Sequence, residues 1–455
     1  MIQRRHAAPS PGDAREAVRR AALPLTGHAA DYDALVERVG DASVVLLGEA
    51  THGTHEFYHE RARITQRLVE EKGFTVVAVE ADWPDAYRVN RWVRGLGRDG
   101  SAAEALDDFR RFPAWMWRNA EVLNFVDWLR EYNDSLVAGH PRTGFYGLDL
   151  YSMFESIGAV LRYLDRVDPE GARRARQRYA CFDFAGEDAQ AYGYAAETGL
   201  APHCTDEAVA QLVELRRLAA ERLARDGRGD EDEAFYAEQN ARLIADAEAY
   251  YRSMFGAPAN SWNLRDLHMA GTLDALLEHF TARRGRRARA VVWAHNSHVG
   301  DARATQMGRE GEWTLGQLVR ERRGDDCVLV GFTTYTGTVT AASDWDAPYE
   351  EKRVVPALEG SYEALFHESG GGGFYLDLGA GTEAARALSE ERLERAIGVI
   401  YLPRTERVSH YFRARLPGQL DAVIHLDETH AVEPLDRTSV RTGREESPET
   451  FPSAL

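Results

Sequence analysis

Residues 43–61 read SVVLLGEATHGTHEFYHER, and the architecture follows from how that stretch divides. Ser43 to Leu47 is short, apolar on both sides and rich in β-branched residues, the pattern of a parallel strand covered by helices on both faces. The chain then turns at Gly48, passes Glu49 and His52, and enters a helical pattern from about His55 to Lys72 that Gly73 closes. Thr75 to Val79 (TVVAV) is a second strand of the same kind, so the segment predicts a βαβ unit with a right-handed crossover. Gly144 to Leu148 (GFYGL) and Ala290 to Ala294 (AVVWA) repeat the pattern. Val328 to Phe332, Phe374 to Leu378, Ile397 to Tyr401 and Ala422 to Leu426 are further strand candidates. The class is α/β, with a mostly parallel central sheet flanked by helices.

Between Tyr151 and Gly285 no strand signal occurs. Leu212, Leu215, Ala219 and Leu223 recur at helical spacing, as do Ala237, Ala241, Ile244, Ala247 and Tyr251. The two runs are joined through the polar turn at 226–230. We read this region as a helical lobe inserted between two strands and walling a cleft. The expected organisation is an N-terminal tail (1–30), a first part of the α/β core (31–150), the lobe (151–285), a second part of the core (286–435) and a C-terminal tail (436–455).

Over 455 residues, 44% are hydrophobic and 28% charged, which is globular usage and excludes a disordered or collagen-like chain. Lys and Arg number 55 against 73 Asp and Glu, a net charge of −18 that repels phosphate backbones and anionic lipid. Neither nucleic acid nor a membrane surface is an expected partner. Cys181, Cys204 and Cys327 are widely spaced and odd in number, so neither a disulfide framework nor a cysteine zinc site is expected. No apolar stretch reaches signal-peptide or membrane-span length. The expectation is a soluble, cytoplasmic, reduced protein, with no signal for an oligomeric state.

Ligands of open parallel sheets bind beyond the carboxyl ends of the strands. Here those ends carry Glu49 and His52, then Glu80 and Asp82, then Asp149, then His295 and His298. Parallel strands would bring all of them to one edge. Arg61 shares a helical stripe with Phe57, Ile64 and Leu68, so it faces the core and needs a carboxylate, for which Glu49 and Glu80 are the candidates. His55-Glu56-Phe57-Tyr58-His59 matches the zincin string H-E-x-x-H, but it falls at a helix start. A metal site there, supplemented by His52, His295 and His298, is the competing reading. Gly95 to Gly100 matches G-x-G-x-x-G but follows a helix and is rejected as a dinucleotide site. With no G-x-S-x-G elbow and no P-loop, a serine hydrolase of that type and a P-loop NTPase are disfavoured. A histidine, carboxylate and arginine cluster suits general-base activation of water, with a second histidine or the arginine stabilising an oxyanion. This points to hydrolysis of an ester-like bond in a small molecule.

These blocks resemble the erythromycin esterase family: Gly48-Glu49-Ala-Thr-His52-Gly53, Glu56-Phe57-Tyr58 with Arg61, Gly73-Phe74 and Glu80-Ala-Asp82. Asn263-Leu-Arg265-Asp266 with Met269, Trp293-Ala-His295-Asn-Ser-His298, and Glu406-Arg-Val-Ser409-His410-Tyr411 resemble it too, as does Asp421 to His425. The likeness runs from about residue 30 to 435. It implies an α/β core with a helical lobe and a deep cleft, in which relatives open a macrolactone by water attack without a serine nucleophile, a cofactor or a required metal. On that pattern His52 is the general base, Glu49 and Glu80 orient and polarise it, Arg61 organises the carboxylates, and His295 and His298 complete the site. The same likeness makes Asp149, Arg265, Asp266 and His410 candidates for substrate binding, with Trp115 in an aromatic wall. A non-catalytic protein that keeps the cleft to sequester a small molecule is the alternative outside enzymes.

Overall fold

The computed structural model describes residues 11–226, 231–255 and 258–436. The strands are β1 (Leu23–Pro24), β2 (Val44–Leu47), β3 (Val76–Asp82), β4 (Gly144–Asp149), β5 (Ala290–Trp293) and β6 (Cys327–Ala342). After them come β7 (Tyr349–Val354), β8 (Gly373–Asp377), β9 (Arg392–Arg395), β10 (Tyr411–Ala414) and β11 (Ala422–Thr429). Nine form one sheet in the order β1-β8-β11-β6-β2-β5-β3-β4, with β7 paired to β6, while β9 and β10 make a separate ladder. The six neighbours from β11 to β4 are parallel, and β8, β1 and β7 join antiparallel. The mostly parallel α/β fold expected from residues 43–79 is therefore the fold observed. β5 lies between β2 and β3, so the two strands of the first βαβ unit flank it and do not touch.

Register explains the site. Leu47 and Val79 both lie opposite Trp293, and Val79 lies opposite Gly147, so four strands finish level. Whatever follows them is delivered to one edge. Side chains alternate between two cores: Val44, Leu46, Val76, Ala78 and Val292 face the helical stretch, and Val45, Leu47, Val77, Val79 and Val291 face the opposite layer. Each such buried aliphatic side chain stabilises the fold by roughly 1.5–3 kcal/mol. The helix His55–Lys72 lays Phe57, Ile64 and Leu68 on the second core, and Gly73 ends it at φ 69°, its N–H bonded to the Leu68 carbonyl.

The described residues between 151 and 285 are mainly helical and carry no strand, with long helices Thr205–Asp226, Glu231–Ser253 and Pro258–Arg284, and they share an apolar core with the sheet face. The polar turn expected at 226–230 falls largely outside the described residues, as do 1–10 and 437–455 of the two expected tails. Three expectations need correction. Residues 11–24 are not a tail: Pro11–Ala21 is a helix whose Ala14, Ala17 and Val18 are buried. That stripe is too narrow, and set among too many arginines, to register as a periodic pattern. Ile397 to Tyr401 is no strand; it crosses the sheet edge and pairs singly, Ile397 with Thr51 and Ile400 with Ala342. Cys181 and Cys204, expected reduced, are joined as a disulfide, with Cα atoms 6.0 Å apart. The short helices between them fold the chain back on itself, which linear spacing could not reveal. No helix among the described residues is long and apolar enough to cross a membrane.

Candidate functional site

Two close approaches build the edge. A Cβ on Gly48 would lie 2.1 Å from the Asn296 side-chain oxygen, so only glycine fits there. Asn296 in turn donates from Nδ2 to the Phe332 carbonyl (2.7 Å), and its main-chain N–H donates to the Glu49 carbonyl (2.8 Å). The loops after β2 and β5 are thereby held against each other and against β6.

The first cluster is a relay behind His52. Its Nδ1 lies 2.9 Å from Glu49 Oε1, and Arg61 donates to the other oxygen of that carboxylate. A carboxylate accepts only, so Nδ1 carries the proton and Nε2 keeps the basic lone pair. Glu49 and Arg61 are almost fully buried, and Arg61 also lies over the rings of Tyr58 and Trp293. Tyr58 donates from its hydroxyl to the His52 carbonyl (2.8 Å), fixing the backbone as Glu49 fixes the ring. The sequence left Glu49 and Glu80 as candidate partners for Arg61; the structure pairs it with Glu49.

The second cluster centres on Arg265. It grips Asp149 with two nitrogens, Nε to Oδ1 at 3.0 Å and Nη2 to Oδ2 at 2.6 Å, and Nη2 also donates to Glu80 Oε1 at 2.8 Å. His298 stands beside it, Nδ1 2.9 Å from Asp266 Oδ2 and Nε2 3.4 Å from Glu80 Oε1, with the Trp262 ring stacked on it at 4.4 Å. Burial disfavours a charge on His298, but Asp266 and Glu80 outweigh it and raise the pKa to about 9. The imidazolium and Arg265 hold Glu80 ionised, well below its usual range despite burial.

The linkage has a definite sign. Above an unfolded-state pKa of about 6.5 the folded protein holds a proton that the unfolded chain gives up. The stabilisation, on the order of 3 kcal/mol at most, is complete below about 6.5 and lost as pH rises through about 9. Urea midpoints measured from pH 6 to 9.5 are expected to fall more steeply for the native chain than for His298→Asn. Parallel slopes would contradict a protonated His298.

His295 differs. Its Nδ1 accepts the Ser297 main-chain N–H (3.2 Å) and lies 2.8 Å from Ser297 Oγ, so the proton belongs on Nε2, which is buried without a hydrogen-bond partner. Burial, then the neighbouring His52 and His298, push its pKa well down, so the ring is neutral. Its centroid is 4.9 Å from that of His52. The site thus holds a histidine backed by a carboxylate, a neutral histidine with an N–H to offer, and a cationic histidine.

His52, Glu80, Asp149, Arg265, His295, His298 and His410 all line one cavity of about 260 Å³, walled by Phe109, Phe112, Met116 and Trp117. Glu49, Arg61 and Asp266 stand behind that surface and act through the histidines they touch. Trp115 is a correction: it is buried in the apolar core, and its neighbours Met116 and Trp117 supply the wall. His410 accepts the Leu402 N–H on Nε2, and burial lowers its pKa to about 4. Trp262, Tyr151 and Arg111 were missed by sequence reasoning. Trp262 could have been found three residues before Arg265, on the same helix face. Tyr151, with Arg111 and Arg265 both over its ring, had no local signal. His55 and His59 sit outside the cavity, their Nδ1 atoms each 3.2 Å from Glu121.

Residues 69–429 match the erythromycin esterase family profile, and the chain belongs to that family. Membership supports an ester-hydrolysing enzyme of that type. The erythromycin esterase type II of Escherichia coli is 26% identical over 325 residues, 68% of this chain and 73% of that protein. A crystal structure of a Bacillus cereus protein superposes with a TM-score of 0.75 at 21% identity, covering 94% of this chain and 100% of the other. An erythromycin esterase mutant in its open conformation superposes with a TM-score of 0.61 at 18% identity, covering 89% and 95%. At such identities the structural matches establish the fold alone.

Proposed function

We propose that this protein hydrolyses a carboxylic ester, a macrolide lactone or another bulky natural-product ester, by general-base activation of water. The observation that carries the reading is the buried Arg61–Glu49–His52 relay, which leaves one basic nitrogen beside the neutral His295 in a shared cavity. His52 Nε2 takes a proton from water as the oxygen attacks the ester carbonyl, and Glu49 stabilises the imidazolium that forms. His295 Nε2–H, otherwise without a partner, donates to the developing oxyanion. The tetrahedral adduct then expels the alkoxide, which takes the proton from His52. Water is consumed, and an acid and an alcohol are released.

The 260 Å³ cavity shares Asp82, Asp85 and Arg111 with an adjoining groove of about 960 Å³, so a large ester can place its reacting carbonyl in one and its remainder in the other. The test is a mass-spectrometric screen of macrolides and acyl esters for gain of one water. No such gain across the panel, with the folded protein in excess, would remove the reading. On a substrate so found, His295→Ala is expected to lower kcat by about 10²–10³, the usual effect of losing one oxyanion donor. An unchanged kcat would dismiss that role.

A further inference from the structure

The amino ends of β3 and β4, at the edge of the sheet away from the cavity, are crowded with positive charge in a chain whose net charge is −18. Residues 283–289 read RRGRRAR, five arginines in seven positions. Arg283 and Arg284 close the helix Pro258–Arg284, about 28 Å along it from Arg265. Arg94 follows the helix Trp83–Val93, and Arg142 stands just before β4. Arg94 and Arg283 both pair with Asp232, the former at 3.1 Å, and Arg142 donates to the Arg94 carbonyl. The acid nearest Arg142, Asp134, is shared with Arg130.

Arg284 differs. It is half-buried, yet no carboxylate reaches it among the described residues: it donates to the Thr75 hydroxyl and lies over the Phe280 ring at 4.9 Å. Burial, aided by Arg94, Arg286 and Arg283 and opposed by Tyr146, lowers its pKa to about 10. Arg286 is exposed and makes no hydrogen bond or ion pair among the described residues. A basic last turn is ordinary, because it complements a partial charge of about −0.5 at a helix C-terminus. Arg94, Arg283, Arg284 and Arg286 around the one carboxylate of Asp232 go well beyond that need. A cation held partly out of water beside like charges is destabilising until an anion joins it.

We infer that this edge is a binding site for a small multivalent oxyanion, a phosphate or oligophosphate group, with Arg284 and Arg286 as its principal donors and Arg94 beside them. Guanidinium forks match phosphate oxygens two at a time, and these two arginines have no carboxylate to give up first. A free small anion is favoured over a nucleic acid, whose long backbone the acidic remainder of the surface repels. The site lies apart from the cavity and does not depend on the ester hydrolysis proposed above.

The probes are tripolyphosphate and a short DNA duplex, titrated calorimetrically into the full chain with NaCl holding the ionic strength constant. Tripolyphosphate is expected to bind saturably and more tightly than the duplex. Arg284→Met and Arg286→Gln should each weaken it by about tenfold, the least that a hydrogen bond to a charged group is worth. Arg217→Gln, at an exposed position on the helix Thr205–Asp226, should leave it unchanged. In anion-free buffer Arg284→Met is expected to melt no lower than the native chain, because methionine keeps the contact with Phe280 and removes the uncompensated charge. A role confined to closing the helix or bonding Thr75 predicts a lower melting temperature instead. No saturable binding, binding that both substitutions leave intact, an equal loss in Arg217→Gln, a duplex bound more tightly than tripolyphosphate, or an Arg284→Met chain that melts clearly lower would each overturn the inference. None of these measurements uses turnover, so failure here is distinct from failure of the hydrolase reading.

Discussion

Replacing His52 by alanine is expected to lower kcat by about 10²–10⁴ while leaving the fold in place. That is the range in which a positioned general base contributes. His52 is on a loop at the edge of the sheet, 8% exposed, and its side chain supports no core contact that a cavity would destabilise. The loss should fall on kcat more than on KM, because the proton moves only in the transition state. Glu49→Gln tests the relay behind it. The amide can still accept from His52 Nδ1–H, but it cannot offset an imidazolium, so kcat should fall while the histidine stays in place. The check is steady-state hydrolysis of a substrate identified by gain of water, with circular dichroism confirming the fold. Full activity in His52→Ala would end the proposed mechanism.

Replacing Arg265 by leucine is expected to be the most destabilising single change at the site, by about 3–5 kcal/mol. Arg265 is 8% exposed and makes a bidentate pair with Asp149 and a further bond to Glu80, both nearly buried. Its removal strands two carboxylates in a space from which water is largely excluded. Breaking such a pair is costlier than the pair is worth, because the desolvation of the remaining charges is no longer offset. Part of the loss should be recovered in Arg265→Leu with Asp149→Asn, which removes one stranded charge. The urea midpoints of the single and double variants are the measurement. A shift below about 1 kcal/mol in the single variant would show that the carboxylates find water or protons at little cost.

Much of the fold was legible because its signals are local. The helix His55–Lys72 was read to both ends, since a periodic apolar stripe and a terminal glycine are properties of neighbouring residues. The strands β2 to β5 were likewise visible as short apolar runs. Ile397 to Tyr401 was misread because its hydrophobicity reflects burial at a sheet edge, not a ladder. The helix Pro11–Ala21 went unseen because alanine carries little hydrophobic signal although it packs closely.

The candidate site divides in the same way. That Glu49, Glu80, Asp149 and His295 share an edge could be argued from sequence, because parallel strands ending level must deliver them there. How they pair could not. Arg61 had two acids within its reach in principle, and only packing assigned Glu49 to it and Glu80 to Arg265. The same holds for the three histidines. They are one residue type in sequence, yet a carboxylate behind His52, a main-chain N–H on His295 and two carboxylates around His298 give them three different proton states. Residue identity and periodicity determined which groups this chain could bring to its cleft. Tertiary structure alone decided what each of them does there, because burial and contact distance act between residues far apart in sequence.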